Sequence, residues 1–347
     1  MENSPELPQD ILRQIFATLE IADLVRVGAA CTSWRAAYIS LCSNGLYRVH
    51  QTPCLLYTSE SAGASAAGLY SLAEKKAYKL TLRGPPIRSR YIIGSTYGWI
   101  ITADERSELH LVNPITSEQI ALPSVTTIEQ VKPIFDVTDA VCNYEYSWYT
   151  GEEVIADSSS VFVLNELREF LFDKLSFARA GDDKWTFTPK ILLDKAKDIP
   201  FEGIYIVQTP CGDLLQIWRS HAAPRGGEED TLESQVSNTS ALKIHKVDPK
   251  TKKLVEVRSL DENVLFLGHN RSLCLRAKEY PQLKSNHVYF TDDDYLYITE
   301  FKNNRRDICV FDLDKKSNEE IVSPQLWSNW PAPVWVIPNP RKMLGIP

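Results

Sequence analysis

The chain has 347 residues, of which 44% are hydrophobic and 24% charged, and its formal net charge is −7. These values are typical of a folded globular protein, and the length suggests one small and one large domain. The negative charge argues against nucleic-acid binding, which requires a basic face. No stretch approaches the roughly 18 consecutive apolar residues of a membrane-spanning helix. The acidic start MENSPELPQD lacks the pattern of a secretory or transit peptide, so we expect the nucleus, the cytoplasm or both.

Residues 1–45 have the pattern of a small all-α domain of three short helices. The apolar residues of the first helix fall on one face: Ile11, Leu12, Ile15, Phe16 and Leu19. Pro8 suits the first helical position. Asp23 is the expected cap of a second helix, and Thr32 or Ser33 that of a third. A unit of this size buries too little surface to be stable alone, which predicts that it packs on a partner or on the following domain.

Residues 46–347 predict an all-β domain, because short strand-like segments with turn signals follow one another almost without helical candidates. A strand–turn–strand pattern recurs at residues 69–82, 98–123, 169–187, 212–260 and 295–322. Repeats of this kind indicate a β-propeller of five to seven blades. A last strand at residues 334–337 is predicted to pair with the strand near Leu55 and close the ring. We expect mobile loops near residues 58–68 and 221–240, which are rich in small or polar residues.

The helical segment resembles the F-box in the order and spacing of its residues. The matching positions are Leu7, Pro8, Asp10, Ile11, Leu12, Ile15, Phe16, Leu19, Asp23, Leu24, Val25, Val27, Ala30, Cys31, Ser33, Trp34 and Arg35. The resemblance implies docking to a Skp-type adaptor and, through it, to the cullin and RING subunits of a ubiquitin ligase. The residues expected to form this site are Leu7, Pro8, Ile11, Leu12, Ile15, Phe16, Leu24, Val25 and Trp34. In this set, Leu24, Val25 and Trp34 are also expected to hold the helices together. The alternative is a helical cap packed on its own domain.

The β-rich segment resembles the plant domain of unknown function 295. The resemblance rests on residues 261–268, 280–286 and 288–293, with further matches at 97–99, 111–116, 122–123 and 330–333. It implies an F-box followed by a β-rich domain. Residues 136–157 depart from the family pattern, so contacts to a target protein are expected to be particular to this chain.

The candidate target-binding residues therefore come from two places: the segment that departs from the family pattern, and a cluster of basic residues. They are Tyr144, Tyr146, Trp148, Tyr149, Arg88 and Arg90. Aromatic and arginine side chains dominate protein interfaces, although Arg88 and Arg90 also fit an ordinary exposed loop. The acidic run at residues 292–294 is expected to be a solvated turn between strands.

No pattern indicates catalysis. The chain has no glycine-rich phosphate loop, and its six histidines lack the paired spacing of metal ligands. We therefore expect no catalytic, cofactor-binding or metal-binding residue, and a substrate-recognition adaptor that binds an unidentified target protein. Two alternatives remain: an F-box scaffold that acts without ubiquitylation, and a propeller enzyme or small-ligand sensor whose helices are a cap.

Overall fold

The computed structural model describes residues 7–44, 46–47, 51–104, 106, 108–127, 131–135, 137–138, 141–147, 153–157, 176–177, 183, 186–187, 203–222, 238–248, 253–268, 272–280, 282–293, 298 and 302–340. Three helices come first: α1 (Gln9–Phe16), α2 (Ile21–Gly28) and α3 (Thr32–Ser43). The prediction of three short helices is confirmed.

The helix starts differ from the predicted ones. Helix α1 begins directly after Pro8, while α2 begins at Ile21, so Asp23 lies inside its first turn and does not cap it. The cap of α3 is Cys31, whose Sγ accepts a hydrogen bond from the Trp34 amide at 3.5 Å. A thiol is an uncommon cap, which explains why the sequence pattern favoured the hydroxyl residues that follow it.

The rest of the described chain is built from β-strands, with short 3₁₀ helices at Ile87–Ser89, Val125–Thr127 and Ala277–Glu279. In chain order the strands are β1 (Cys54–Tyr57), β2 (Ala66–Ser71), β3 (Lys76–Thr81), β4 (Tyr91–Thr96), β5 (Trp99–Ala103), β6 (Leu109–Val112), β7 (Gln119–Ala121), β8 (Val131–Phe135), β9 (Val141–Ser147), β10 (Glu153–Asp157), β11 (Ser176–Phe177), β12 (Thr186–Phe187), β13 (Gly203–Gln208), β14 (Leu214–Ala222), β15 (Asn238–Asp248), β16 (Lys253–Val257), β17 (Asn263–Leu267), β18 (Leu273–Arg276), β19 (His287–Phe290), β20 (Cys309–Asp312), β21 (Ser317–Glu320) and β22 (Val334–Val336).

Four sheets with four or five strands each give the described residues a four-blade propeller arrangement. Their strand orders are β22-β1-β2-β3, β4-β5-β6-β7, β13-β14-β15-β16 and β18-β17-β19-β20-β21. Two smaller sheets, β10-β9-β8 and β11-β12, complete the set. The predicted five to seven blades are therefore wrong. A turn-based count treats every hairpin as a blade, whereas the described part of residues 169–187 contributes the two-residue strands β11 and β12 and no four-stranded sheet.

The ring closes through the two ends of the β domain, as predicted. Strand β22 pairs antiparallel with β1, and Leu55 lies opposite Trp335. Trp335 is almost completely buried and packs edge-on against Phe266 and Tyr289, at centroid distances of 5.2 and 6.1 Å. This strand pair therefore joins the first sheet to the sheet that contains β17 and β19.

The two predicted loops are shorter than expected where they are described. Residues 66–68 belong to β2, and residues 221–222 and 238–240 belong to β14 and β15. Strands β14 and β15 pair with each other, so the segment between them joins two strands of one sheet, as predicted. Residues 223–237 lie outside the described residues.

Candidate functional site

Helix α1 has two apolar faces, where the sequence pattern suggested one. Leu12 and Phe16 are only 1% and 2% exposed, whereas Leu7, Ile11 and Ile15 are 48%, 37% and 45% exposed. Residues four apart lie on the same side of a helix, so Leu12 and Phe16 share one side of α1 and Ile11 and Ile15 share another. Leu7 lies just before the helix, which begins at Gln9. We call Leu7, Ile11 and Ile15 the outer row.

The inner face of α1 completes the core of the helical unit. Leu12 and Phe16 are buried together with Leu24 of α2 and Leu41 of α3. The Phe16 ring meets the half-buried Trp34 ring edge-on at 5.5 Å. Leu12 and Phe16 were expected to contact an adaptor, and Leu24 both to contact it and to hold the helices together. All three are buried in the core of the helical unit. Trp34 has the supporting position that was predicted for it.

Pro8 and Val25 both lie outside the buried core of the helical unit. Pro8 is exposed next to Leu7, at the start of the outer row. Val25 is 41% exposed and lines a cavity of about 170 Å³ between α2 and the first sheet. Val25 was expected to help hold the helices together, but it faces the β domain instead.

Polar contacts fix α2 against the β domain. Arg26 pairs with Asp23 in its own helix and donates to the hydroxyl of Tyr78 at 3.1 Å, while that hydroxyl donates to the carboxylate of Glu74. The hydrogen bond to Tyr78, and next the one to Asp23, raise the pKa of the Arg26 guanidinium. We call Asp23, Arg26, Glu74 and Tyr78 the junction cluster.

A second set of contacts lies at the segment that enters the β domain. The Ile21 amide donates to Gln51 Oε1 at 3.2 Å, and Gln51 Nε2 donates to the Tyr47 hydroxyl at 2.9 Å. That hydroxyl in turn donates to the Leu19 carbonyl at 2.7 Å. Burial raises the pKa of Tyr47, which therefore stays a hydroxyl donor. The helices and the β domain thus share a hydrogen-bonded boundary.

The two arginines that were grouped as target-binding candidates have different positions. Arg90 is 2% exposed, and its guanidinium donates to the Pro85 carbonyl, Thr102 Oγ1 and Gln119 Oε1. Arg90 was expected to contact a target, but its side chain is buried and bonded to internal acceptors, among which is also the Arg83 carbonyl at 3.5 Å. Arg88 is only half-buried, and its guanidinium lies 3.8 Å from the Glu60 carboxylate in an open groove.

Two of the four aromatic candidates for target binding belong to the described residues. Tyr144 and Tyr146 belong to β9, which pairs with β8 and β10, so this segment is a strand although its pattern did not predict one. Trp148 and Tyr149 lie outside the described residues. A role of these four residues in target binding remains a prediction.

A buried charge cluster forms where the sequence analysis expected a solvated turn. Arg219 is fully buried and contacts Asp293 and Asp307 at 2.9 and 3.1 Å. It also donates to the hydroxyls of Tyr205 and Thr239, at 3.3 and 2.8 Å. Asp292 and Asp293 are thus not part of a solvated turn.

The same cluster extends to a second arginine. The side chains of Arg306 and Asp292 are both buried and lie 3.8 Å apart. Burial raises the pKa of Asp292 to about 7; the charges of Arg219 and Arg306 oppose this, and those of Asp293 and Asp307 add to it. Paired and buried charges of this kind fix the positions of neighbouring sheets. No local sequence pattern could have indicated the contacts of this buried cluster, because bonded residues such as Tyr205 and Asp293 are 88 residues apart in the chain.

The described residues hold no group of three or more His, Cys, Asp or Glu side chains arranged to bind a metal ion. In the same part of the chain, no helix has the length and apolar character that crossing a membrane requires.

Three helices with an exposed apolar row, followed by a ring of sheets, define an F-box-like helical unit and a propeller domain. An F-box-like family model matches residues 4–42, and the model of the KIB1-4 beta-propeller matches residues 69–203 and 197–312. The propeller match spans more than half of the chain, and the chain therefore belongs to the KIB1-4 beta-propeller family.

Relatives of similar length share both parts. The F-box protein At5g25290 of Arabidopsis thaliana is 23% identical over 90% of this chain and 91% of the relative. The F-box protein KIB4 of Arabidopsis thaliana is 22% identical over 90% of this chain and 89% of the relative. The predicted resemblance is confirmed: the chain is a plant F-box protein with a propeller-like C-terminal domain.

Proposed function

We propose that the chain is the substrate-recognition subunit of a Skp–cullin–F-box ubiquitin ligase. The helical unit would bind a Skp-type adaptor, and the β domain would bind a target protein. Chemistry on the target would belong to other subunits, so the chain would act by raising the local concentration of the target near them. An adaptor of this kind would work in the nucleus or the cytoplasm, which a fluorescent fusion can test.

The outer row carries this proposal. Leu7, Ile11 and Ile15 form an apolar stripe on a segment that matches the F-box-like model, while the inner face of α1 is already filled. A helix that buries one apolar side in its own domain and exposes a second apolar side to solvent has the surface that helix-in-groove binding requires. Exposed apolar side chains at such spacing gain free energy only when a partner covers them.

Co-purification with a Skp-type adaptor tests the proposal. We expect the full chain to co-purify with the adaptor, and Ile15→Glu to reduce its affinity by about 100-fold, since a charge would be buried in an apolar contact. Ile206→Glu is the matched control, because Ile206 is 53% exposed and lies on β13 of the β domain.

Two results would contradict the proposal. One is a soluble, folded wild-type chain that never co-purifies with the adaptor. The other is equal loss of binding in Ile15→Glu and Ile206→Glu at unchanged melting temperature, because binding would then not depend on the outer row.

The scaffold alternative uses the same docking surface and differs only in the fate of the target. Measuring the half-life of a bound target after depletion of this chain would separate the two. The enzyme or sensor alternative requires reactive groups that face a cavity. Arg219, Asp293 and Asp307 are instead buried and bonded to one another, which favours a structural role for them.

A further inference from the structure

An open groove of about 660 Å³ lies beside the turn that follows β1. The residues that line it are Ser59, Glu60, Ser61, Arg88, Lys302, Asn303, Leu326, Trp327, Ser328, Asn329 and Trp330. Its size is that of sites that bind a ligand or a short peptide segment. Two cations, several hydroxyl and amide donors, and the exposed side chain of Leu326 meet in it.

Internal hydrogen bonds hold both walls of the groove. The Ser328 amide donates to the Thr58 carbonyl at 2.7 Å, and Thr58 Oγ1 donates to the Trp330 carbonyl at 3.2 Å. Behind this wall, the buried Arg306 donates to the Asn329 carbonyl at 2.7 Å. The backbone of the groove is therefore fixed before any ligand arrives, which lowers the entropy lost on binding.

The groove lies at the opposite end of β1 from the helical unit. Gln51, which precedes β1, bonds to α2, whereas Thr58, which follows β1, bonds to the groove wall. The four residues of β1 separate these ends by roughly 13 Å at about 3.3 Å per residue. An occupant of the groove would therefore not compete with a partner that binds the helices.

The cations of the groove are available to an acidic partner. Among the described residues, the Arg88 guanidinium forms one ion pair, a long contact of 3.8 Å to Glu60, whose side chain is 87% exposed, and such surface pairs are weak. Lys302 is exposed and lies over the Trp330 ring, with Nζ 4.6 Å from its centroid. Arginine and tryptophan in one pocket are the residue types that dominate binding energy at protein interfaces.

We propose that this groove binds an extended acidic segment of the target protein. A carboxylate of the segment contacts Arg88 and Lys302, and a neighbouring apolar side chain covers Leu326 and Trp330. This inference rests on the proposed function, because it assigns the target to one face of the propeller. The helical unit then holds the ligase at one face while the target occupies the other.

Two pools of immobilised nonapeptides test the proposal. Both are random, except that the central residue is Glu in one pool and Lys in the other. The full chain is purified with the Skp-type adaptor, and retention on each pool is measured. We expect about tenfold stronger retention on the Glu pool, and near-equal retention of Arg88→Glu/Lys302→Glu on the two pools. Lys278→Glu/Lys315→Glu changes the net charge equally, at two exposed positions outside the groove, and should behave like the wild type.

The outcomes separate this proposal from the proposed function. The groove does not bind an acidic segment if the wild-type chain, with adaptor bound, is retained equally on the Glu and Lys pools. The same follows if Arg88→Glu/Lys302→Glu still prefers the Glu pool. If free glutamate at the peptide concentration abolishes retention, the site holds a single carboxylate and the segment proposal is wrong. Loss of the adaptor alone contradicts only the docking proposal. Should the double variant have a lowered melting temperature, the single variant Lys302→Glu replaces it and should reduce the preference.

Discussion

Asp292 gives the buried charge cluster a defined pH dependence. Its pKa is raised from 3.8 to about 7 by burial, so between these values the folded chain keeps a proton that the unfolded chain has released. The free energy of unfolding therefore falls as the pH rises to about 7 and is then level. We expect the wild type to lose about 3 kcal/mol between pH 5 and pH 8 through this group.

Chemical denaturation at pH 5 and pH 8 measures this effect. Asp292→Asn cannot ionise, so the variant should lose less stability over this interval than the wild type. Asp314→Asn is the control for the substitution itself, because Asp314 is exposed and lies outside the buried charge cluster. Identical pH dependence of the wild type and Asp292→Asn would show that Asp292 does not titrate in this range.

The strand pair β1–β22 is the element on which the ring depends. All four residues of β1 are buried, and β22 covers the edge of β1 that would otherwise be open. An uncovered apolar edge strand pairs with other chains. We expect a chain truncated after Pro333 to aggregate, because it lacks β22 and the packing of Trp335 on Phe266.

Soluble yield and size-exclusion chromatography test this prediction. A chain truncated after Pro340 is the control, since it keeps β22 and Asn339, whose carbonyl accepts a hydrogen bond from Asn113 at 3.0 Å. The control should elute as a monodisperse species. A soluble monomer of the shorter chain would show that the ring does not depend on this closure.

At the scale of the whole molecule, the sequence predicts local periodicity well and long-range geometry poorly. The three helices, the change to β-strands at Leu46 and the closing strand followed from spacing alone. The inner and outer faces of α1 could not be separated, because Leu12 and Ile11 are equally apolar and only α2 and α3 determine which of them is covered. Blade number and the partners of Arg219 depend on contacts between distant segments, which no local pattern encodes.

The junction cluster predicts how the two parts of the molecule are held relative to each other. Arg26 connects α2 with Tyr78 of β3, and its guanidinium also lies over the Tyr78 ring, 5.2 Å from the centroid. Removing this contact leaves two described hydrogen bonds between the helices and the segment that enters β1: the Ile21 amide still donates to Gln51, and the Tyr47 hydroxyl to the Leu19 carbonyl. We therefore expect Arg26→Ala to loosen the boundary without unfolding either part.

Hydrogen–deuterium exchange can measure this loosening. In Arg26→Ala, amides of α2 and of residues 46–47 and 51–52 should exchange several-fold faster, while those of β17 and β19 should be unchanged, because local opening is controlled by local contacts. Arg305→Ala is the matched control: Arg305 is also half-exposed and pairs with Glu320 at the surface of the β domain. Faster exchange in both variants, or in neither, would mean that Arg26 does not fix the helices to the propeller. Faster exchange in Arg26→Ala alone would show that this contact holds α2 on the β domain.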